Sequence, residues 1–231
     1  MLVLAMDSSA IAASAAIVKD GIILGEFFVN IKQTHSETLM PMVEKLLNFT
    51  KLKLSDFDII AVTPGPGSFT GVRIAVSCAK GLAMPTNIPC VPVSSLEAIA
   101  YGASSFEGKI ICSVMDARCG QVYNALFKVA NGEIVRLCED RAISIADLKS
   151  ECEKYGSELI LAGDGARICY DNFKEFGAEI IIENLRFARA SSVAMAAVKL
   201  EKVTPLELVP TYLRIPQAER ELKKRLEEKE W

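Results

Sequence analysis

Two groups of residues in this chain have the types and spacing that chemistry requires, and a few single residues join them. The first is Asp7-Ser8-Ser9, a carboxylate and two hydroxyls at the end of the apolar run Leu2 to Met6. Such a trio can orient a magnesium-bound nucleotide, or it can end a strand by accepting neighbouring backbone N–H groups. The second is Gly65-Pro66-Gly67-Ser68-Phe69-Thr70-Gly71, between the apolar run Ile59 to Val62 and a helical pattern from Val72 to Ala83. A glycine-rich turn that leads from a strand into a helix lets backbone N–H groups converge on an anion. A Walker loop would close with Gly-Lys-Ser/Thr, whereas Thr70-Gly71-Val72-Arg73 stands here. The set open to a nucleotide or another anion is therefore Asp7, Ser8, Ser9, Gly65, Gly67, Ser68, Thr70, Gly71 and Arg73. Asp116 and Asp164 in the second half, each with no second carboxylate nearby in sequence, carry singly the same two readings as Asp7, and Arg118, like Arg73, can grip a phosphate bidentately or serve at a surface.

Other chemistries find few residues. His35 is the one histidine, and the residue four positions on is Leu39. A pair of imidazoles one helical turn apart is therefore missing, and a Ser-His-Asp arrangement would have to recruit the same His35. Beside Thr34, it reads as part of a helix start. The seven cysteines include no Cys-x-x-Cys pair and lie mostly within apolar runs, which makes them small core residues rather than metal ligands or disulfides. A net charge of −3 supplies no electrostatic footprint for holding nucleic acid unaided. No apolar run approaches the roughly 20 residues that cross a bilayer, and the N-terminus lacks the basic flank of a signal peptide, so a cytoplasmic chain is expected.

The elements that must position these groups follow from periodicity. Apolar runs at Leu2 to Met6, Ser14 to Val18 and Ile22 to Ile31 predict a hairpin-rich opening, with Lys19-Asp20-Gly21 as one turn. Thr34-His35-Ser36-Glu37 has the form of a capping box, and Leu39, Met42, Val43, Leu46 and Leu47 then recur at helical spacing. A strand to Val62, the glycine turn, a second helix, a strand at Ile88 to Val93 and a short helix capped by Ser94 complete the half. The second half repeats the plan. Ile110 to Arg118 mirrors Leu2 to Ser9, a hairpin turn ends at Gly132, and Gly163-Asp164-Gly165-Ala166 stands where Gly65 to Ser68 stood. Three strands, a helix, a strand and a helix thus occur twice, as in the actin, sugar kinase and Hsp70 architecture.

The second helix is apolar nearly all round. Arg73, Ser77 and Lys80 form its polar stripe, and a sheet can cover only one side of such a helix. Either packing within the chain uses the remainder, or a partner covers it. The expected partner surface is Leu39, Met42, Val43 and Leu46 with Val72, Ala75, Val76, Ala79, Leu82 and Ala83.

With Met6-Asp7-Ser8-Ser9, His35-Ser36-Glu37, Gly65 to Arg73, Lys80-Gly81-Leu82-Ala83, Val93 to Leu96, Met115 to Arg118, Gly163 to Ala166 and Pro210-Thr211-Tyr212-Leu213-Arg214 all in order, the chain closely resembles the TsaB (YeaZ) family. The resemblance spans residues 1 to 214 and is most specific from 57 to 97. It implies an α/β protein of duplicated actin-like/sugar kinase/Hsp70 (ASKHA, ribonuclease H-like) fold. Its lobes would be residues 1–104, with the docking helices, and 105–212, followed by a charged helical tail, 213–231. It also implies a bacterial, non-catalytic scaffold that binds and activates a TsaD-like threonylcarbamoyltransferase. With a TsaE-like ATPase, that subunit forms threonylcarbamoyladenosine beside the anticodon of ANN-decoding tRNAs. ATP with magnesium and a metal ion are implied for the partner complex and none for this chain; alone, the chain would form a homodimer. Two rival readings are an ATP-dependent phosphotransferase of the sugar kinase type and a metallopeptidase.

Overall fold

The computed structural model describes residues 1–31 and 33–214. Strands β1 (Leu2–Asp7), β2 (Ala13–Lys19) and β3 (Ile22–Val29) form a meander, followed by helix α1 (His35–Thr50). Asp20 (φ 50°) and Gly21 (φ 80°) supply the two positive φ values that a two-residue hairpin turn demands. Next come β4 (Ile59–Val62), α2 (Phe69–Ala83), β5 (Cys90–Pro92) and α3 (Ser95–Tyr101). The Ser94 hydroxyl caps α3 by accepting from the N–H groups of Leu96 and Glu97. The expected capping box at α1 does not form. Thr34 makes no side-chain cap bond, and His35 Nε2 lies 2.8 Å from the Ala10 carbonyl, so the imidazole ties the helix to the β1–β2 loop instead.

The second half runs β6 (Ile110–Asp116), β7 (Gln121–Ala130), β8 (Glu133–Arg136), β9 (Arg141–Ser144), α4 (Ile145–Cys152), β10 (Leu159–Ala162), α5 (Ala166–Phe173), β11 (Glu179–Ile180) and α6 (Ala190–Ala197). Asn131 (φ 56°) and Gly132 (φ 72°) repeat the hairpin solution of the first half. Strand order is β3-β2-β1-β4-β5 in one sheet and β8-β7-β6-β10-β11 in the other, with β9 added beside β7. In both, the meander is antiparallel and the later strands join in parallel. This is the ribonuclease H-like unit present twice, the duplicated two-lobed fold expected from the sequence.

Alternation along the strands builds five layers. Leu2, Leu4 and Met6 of β1 turn outward and pack with Leu39, Met42, Val43 and Leu46 of α1 and Ala75, Val76 and Ala79 of α2. Val3 and Ala5 turn inward to meet α3 and α6, which also cover Ile111 and Met115 of the second sheet. Cys112 and Val114 of β6 face outward to α4 and α5. The middle layer is an exchange: α3, from the first half, lies on β6 and β7, whereas α6, from the second, lies on β1, β2 and β4.

The apolar circumference of α2 has an explanation that periodicity did not disclose. Residues 203–214 run as a strap across the first lobe. Val203 bridges Cys90, Leu208 is 1% exposed in the core beside α2, and Lys80 Nζ donates to the carbonyls of Leu206 (3.2 Å) and Leu208 (3.1 Å). Packed on the first sheet and on each other, with Leu208 of the strap beside them, Leu39, Met42, Val43, Leu46, Val72, Ala75, Val76, Ala79 and Ala83 are buried by the chain itself, and of the ten expected interface residues only Leu82 stays partly exposed. The charged helix expected over 216–231 lies outside the described residues.

Candidate functional site

The first-lobe set that sequence offered to a nucleotide divides: Asp7, Ser8, Gly65 and Gly71 are buried, while Ser68, Thr70 and Arg73 are exposed. Asp7, 1% exposed, accepts from Ser9 Oγ (2.7 Å), Ser9 N (3.1 Å) and Thr63 Oγ1 through one carboxyl oxygen. Burial raises its pKa above the ordinary carboxyl value, and the hydrogen bonds from Thr63 and Ser9 oppose that rise. Ser8 Oγ donates to the Gly71 carbonyl at 2.9 Å. The glycines serve this closure. A Cβ on Gly67 would stand 2.2 Å from the Ser9 carbonyl oxygen, one on Gly71 2.0 Å from that of Ser8, and one on Gly65 (φ 134°) 2.4 Å from that of Thr211. The turn is thus a joint between the β1–β2 loop, α2 and the strap, and Ser68 N already donates to Ser9 O at 2.7 Å. Asp7, Ser8, Gly65 and Gly71 are therefore enclosed by the chain itself, whereas Ser9, Gly67 and Ser68 line the cleft between the lobes.

The second-lobe acids, by contrast, face a cleft of about 520 Å3 between the lobes, lined by Asp116, Arg118, Tyr123 and Asp164 on one side, Ser9, Ser68 and Phe69 on the other, and Tyr212 and Arg214 of the strap. Asp164 Oδ1 accepts from Asp116 N (3.2 Å), and Asp116 Oδ1 from Arg118 N (2.7 Å). Burial raises the Asp164 carboxyl to about 6, against hydrogen bonds from the N–H groups of Asp116 and Gly165. Arg214 donates to the carbonyls of Ala117 and Arg118, which ties the strap to the second lobe. Sequence reasoning weighed Asp116, Arg118 and Asp164 separately; parallel pairing of β10 with β6 brings together acids 48 positions apart. Tyr123 and Arg214 carried no local signal of a place in this cleft.

Metal ligation finds no set here. Among the described residues no three His, Cys, Asp or Glu side chains are grouped to hold an ion. All seven cysteines are free thiols, with Cys119 exposed rather than in the core as expected, and burial pushes Cys90 up to about 11 and Cys169 to about 12. No helix among the described residues is long and apolar enough to cross a membrane.

What remains open on the first lobe is one face of α2. Thr70, Arg73, Ser77, Gly81 and Met84 are exposed, and Ile74, Cys78 and Leu82 partly so. A groove of about 450 Å3 runs between Ser36 at the start of α1 and Thr70, Arg73, Ile74, Ser77 and Cys78 of α2. A Cβ on Gly81 would meet nothing within 4 Å, so no contact inside the chain calls for glycine there.

The duplicated fold, with a sealed first-lobe acid and an open inter-lobe cleft, defines a two-lobed protein of the actin-like, sugar kinase and Hsp70 class. The family model described as "TsaD: tRNA N6-adenosine threonylcarbamoyltransferase" matches residues 23–221. A Bacillus subtilis protein named tRNA threonylcarbamoyladenosine biosynthesis protein TsaB is 32% identical over 222 residues, covering 95% of this chain and 96% of that protein. The Escherichia coli protein of the same name is 32% identical over 179 residues, 77% of each chain. In structure, YeaZ from Pseudomonas aeruginosa superposes with a TM-score of 0.75 at 26% identity, covering 92% of this chain and 99% of that one. The chain belongs to the TsaB (YeaZ) family.

Proposed function

We propose that this chain serves in threonylcarbamoyladenosine formation on tRNA as the non-catalytic partner that docks and activates a TsaD-type threonylcarbamoyltransferase subunit. Membership of a family whose curated members carry that biosynthetic name supports the pathway. The observation that carries the division of labour is the contrast on the first lobe. Asp7 is enclosed by the donors of Ser9 and Thr63, and Gly65 and Gly71 lie against the chain's own carbonyls, while α2 keeps a face of small and apolar side chains, Ile74, Ser77, Cys78, Gly81 and Leu82, in reach of a second helix. Glycine inside a helix costs about 1 kcal/mol relative to alanine, and close approach of a partner helix gives Gly81 a reason to be there. Docking thus uses the outer rim of the expected surface, Leu82 included, rather than its buried members. A TsaE-like ATPase joins the assembly in the cytoplasm, and the same face supports a homodimer when the catalytic subunit is missing.

Titration calorimetry of the full chain against the TsaD-type subunit of the same organism tests this, with tRNA modification read by mass spectrometry of nucleosides. Ser77→Arg and Gly81→Arg should abolish binding and modification while the thermal midpoint stays within a few degrees. Wild-type affinity in both variants would overturn the docking face. Turnover of Mg-ATP by the chain alone would overturn the non-catalytic role in favour of a phosphotransferase acting from the inter-lobe cleft.

A further inference from the structure

We propose that Arg73 is a preorganised receptor for a carboxylate side chain of the docked subunit. This rests on the docking reading above and names the contact that gives that face its polarity. The Arg73 guanidinium lies 3.8 Å from the centroid of the Phe69 ring, and its Nε donates to Tyr212 Oη at 2.7 Å. The Phe69 and Tyr212 rings themselves pack 4.9 Å apart at 31°. Stacking from below and a hydrogen bond from the side hold the long side chain in one pose, so the conformational freedom an arginine normally loses on gripping a ligand is already lost.

One edge of the guanidinium is left for a partner. Among the described residues no carboxylate lies within ion-pairing distance of Arg73, and Nη1 and Nη2 take part in no hydrogen bond. Arg73 lies at the groove that it lines with Ser36, Thr70, Ile74, Ser77 and Cys78, and among the described residues that line it Arg73 alone carries a formal charge. A planar fork with two donors beside an uncharged groove matches a planar, two-oxygen acceptor flanked by a small apolar side chain. An aspartate or glutamate on a helix supplies that combination. A nucleic-acid backbone fits less well, because a phosphate track is gripped by several cations in a row, and the nearby Lys80 on α2 is occupied with the carbonyls of Leu206 and Leu208.

The test compares wild type, Arg73→Ala, Arg73→Lys and Tyr212→Phe, all as full chains, in calorimetric titrations against the TsaD-type subunit and, separately, against tRNA. Titrations run over a range of salt, with thermal unfolding as the control. Arg73→Ala should weaken subunit binding by about tenfold or more and flatten its salt dependence, as loss of a close charge pair does. Arg73→Lys keeps the charge but not the fork and should recover only part of the affinity. Tyr212→Phe keeps the ring stack and removes the bond that aims the fork, so a smaller loss is expected, and these two variants decide the matter if Arg73→Ala fails to fold. Wild-type affinity and salt dependence in Arg73→Ala would overturn the proposal, as would loss of tRNA binding with subunit binding intact, which would assign the fork to a phosphate. If the wild type itself does not bind the subunit, the docking reading falls and takes this contact with it.

Discussion

The two lobes share a topology and differ in how their acids are finished. Asp7 and Asp116 each end the first strand of their unit. Asp7 is enclosed by Thr63 and Ser9, whereas Asp116 is exposed beside Asp164 on one wall of an open cleft. At the position where Thr63 follows β4 with a hydroxyl, the second lobe follows β10 with Gly163 and then a second carboxylate. The difference teaches that duplication preserved the backbone solution while one copy turned its acid into a structural node. Any small molecule entering between the lobes meets the carboxylates Asp116 and Asp164 on the second-lobe side.

The largest expected break between the lobes is steric. Gly67→Ala places a methyl 2.2 Å from the Ser9 carbonyl and should cost about 3 kcal/mol or more. Gly120→Ala, in the second-lobe turn, has nothing within 4 Å and bears only the strain of its φ of 70°, about 1 kcal/mol. Urea denaturation of both variants checks this, and equal losses would erase the contrast. Next in size is the acid itself. Asp7→Ala leaves the hydroxyls of Thr63 and Ser9 without their acceptor and should destabilise by about 2–3 kcal/mol, while Asp116→Ala should stay within about 0.5 kcal/mol. The same unfolding series measures both.

The smallest effect sharpens the comparison through pH. Asp164 has a folded pKa of about 6 against 3.8 for the free group, so between those values the folded chain keeps a proton that the unfolded chain has released. Stability from this group is therefore full below the lower value and is lost as pH rises through the upper one. Asp164→Asn should remove this loss, on the order of 1–2 kcal/mol between pH 4 and 7. Thermal midpoints of wild type and variant across that range provide the check. If Asp7→Asn flattens the curve instead, the titrating acid belongs to the first lobe.

Much of the fold could be read from local pattern. The apolar runs gave the strands, Asp20-Gly21 and Asn131-Gly132 gave two hairpin turns because few other residues accept paired positive φ, and Ser94 gave a cap. The repeat itself followed from Met-Asp recurring at the ends of β1 and β6. Less was legible wherever a long-range contact decided the outcome. The strap has no periodicity and forms no element beyond its bridge at Val203, yet it sets Leu208 into the core beside α2, whose apolar residues also pack on the sheet and α1. His35 and Thr34 followed the same logic: a carbonyl from the β1–β2 loop outcompeted the local cap. For the site, residue types were visible but enclosure was not, since Gly65, Gly67 and Gly71 read equally well as an anion cradle or as room for a neighbouring backbone until the neighbour was seen.

The exchange of α3 and α6 makes the chain's two halves depend on each other in time as well as in space. As the protein leaves the ribosome, the inner surface of its first sheet, including Val3, Ala5, Ala16 and Val18, lacks the helix that lies on β1, β2 and β4 until residues 190–197 have been synthesised. The nascent first half must therefore wait for α6 of the second, and maturation belongs to the two copies of the unit together rather than to either one.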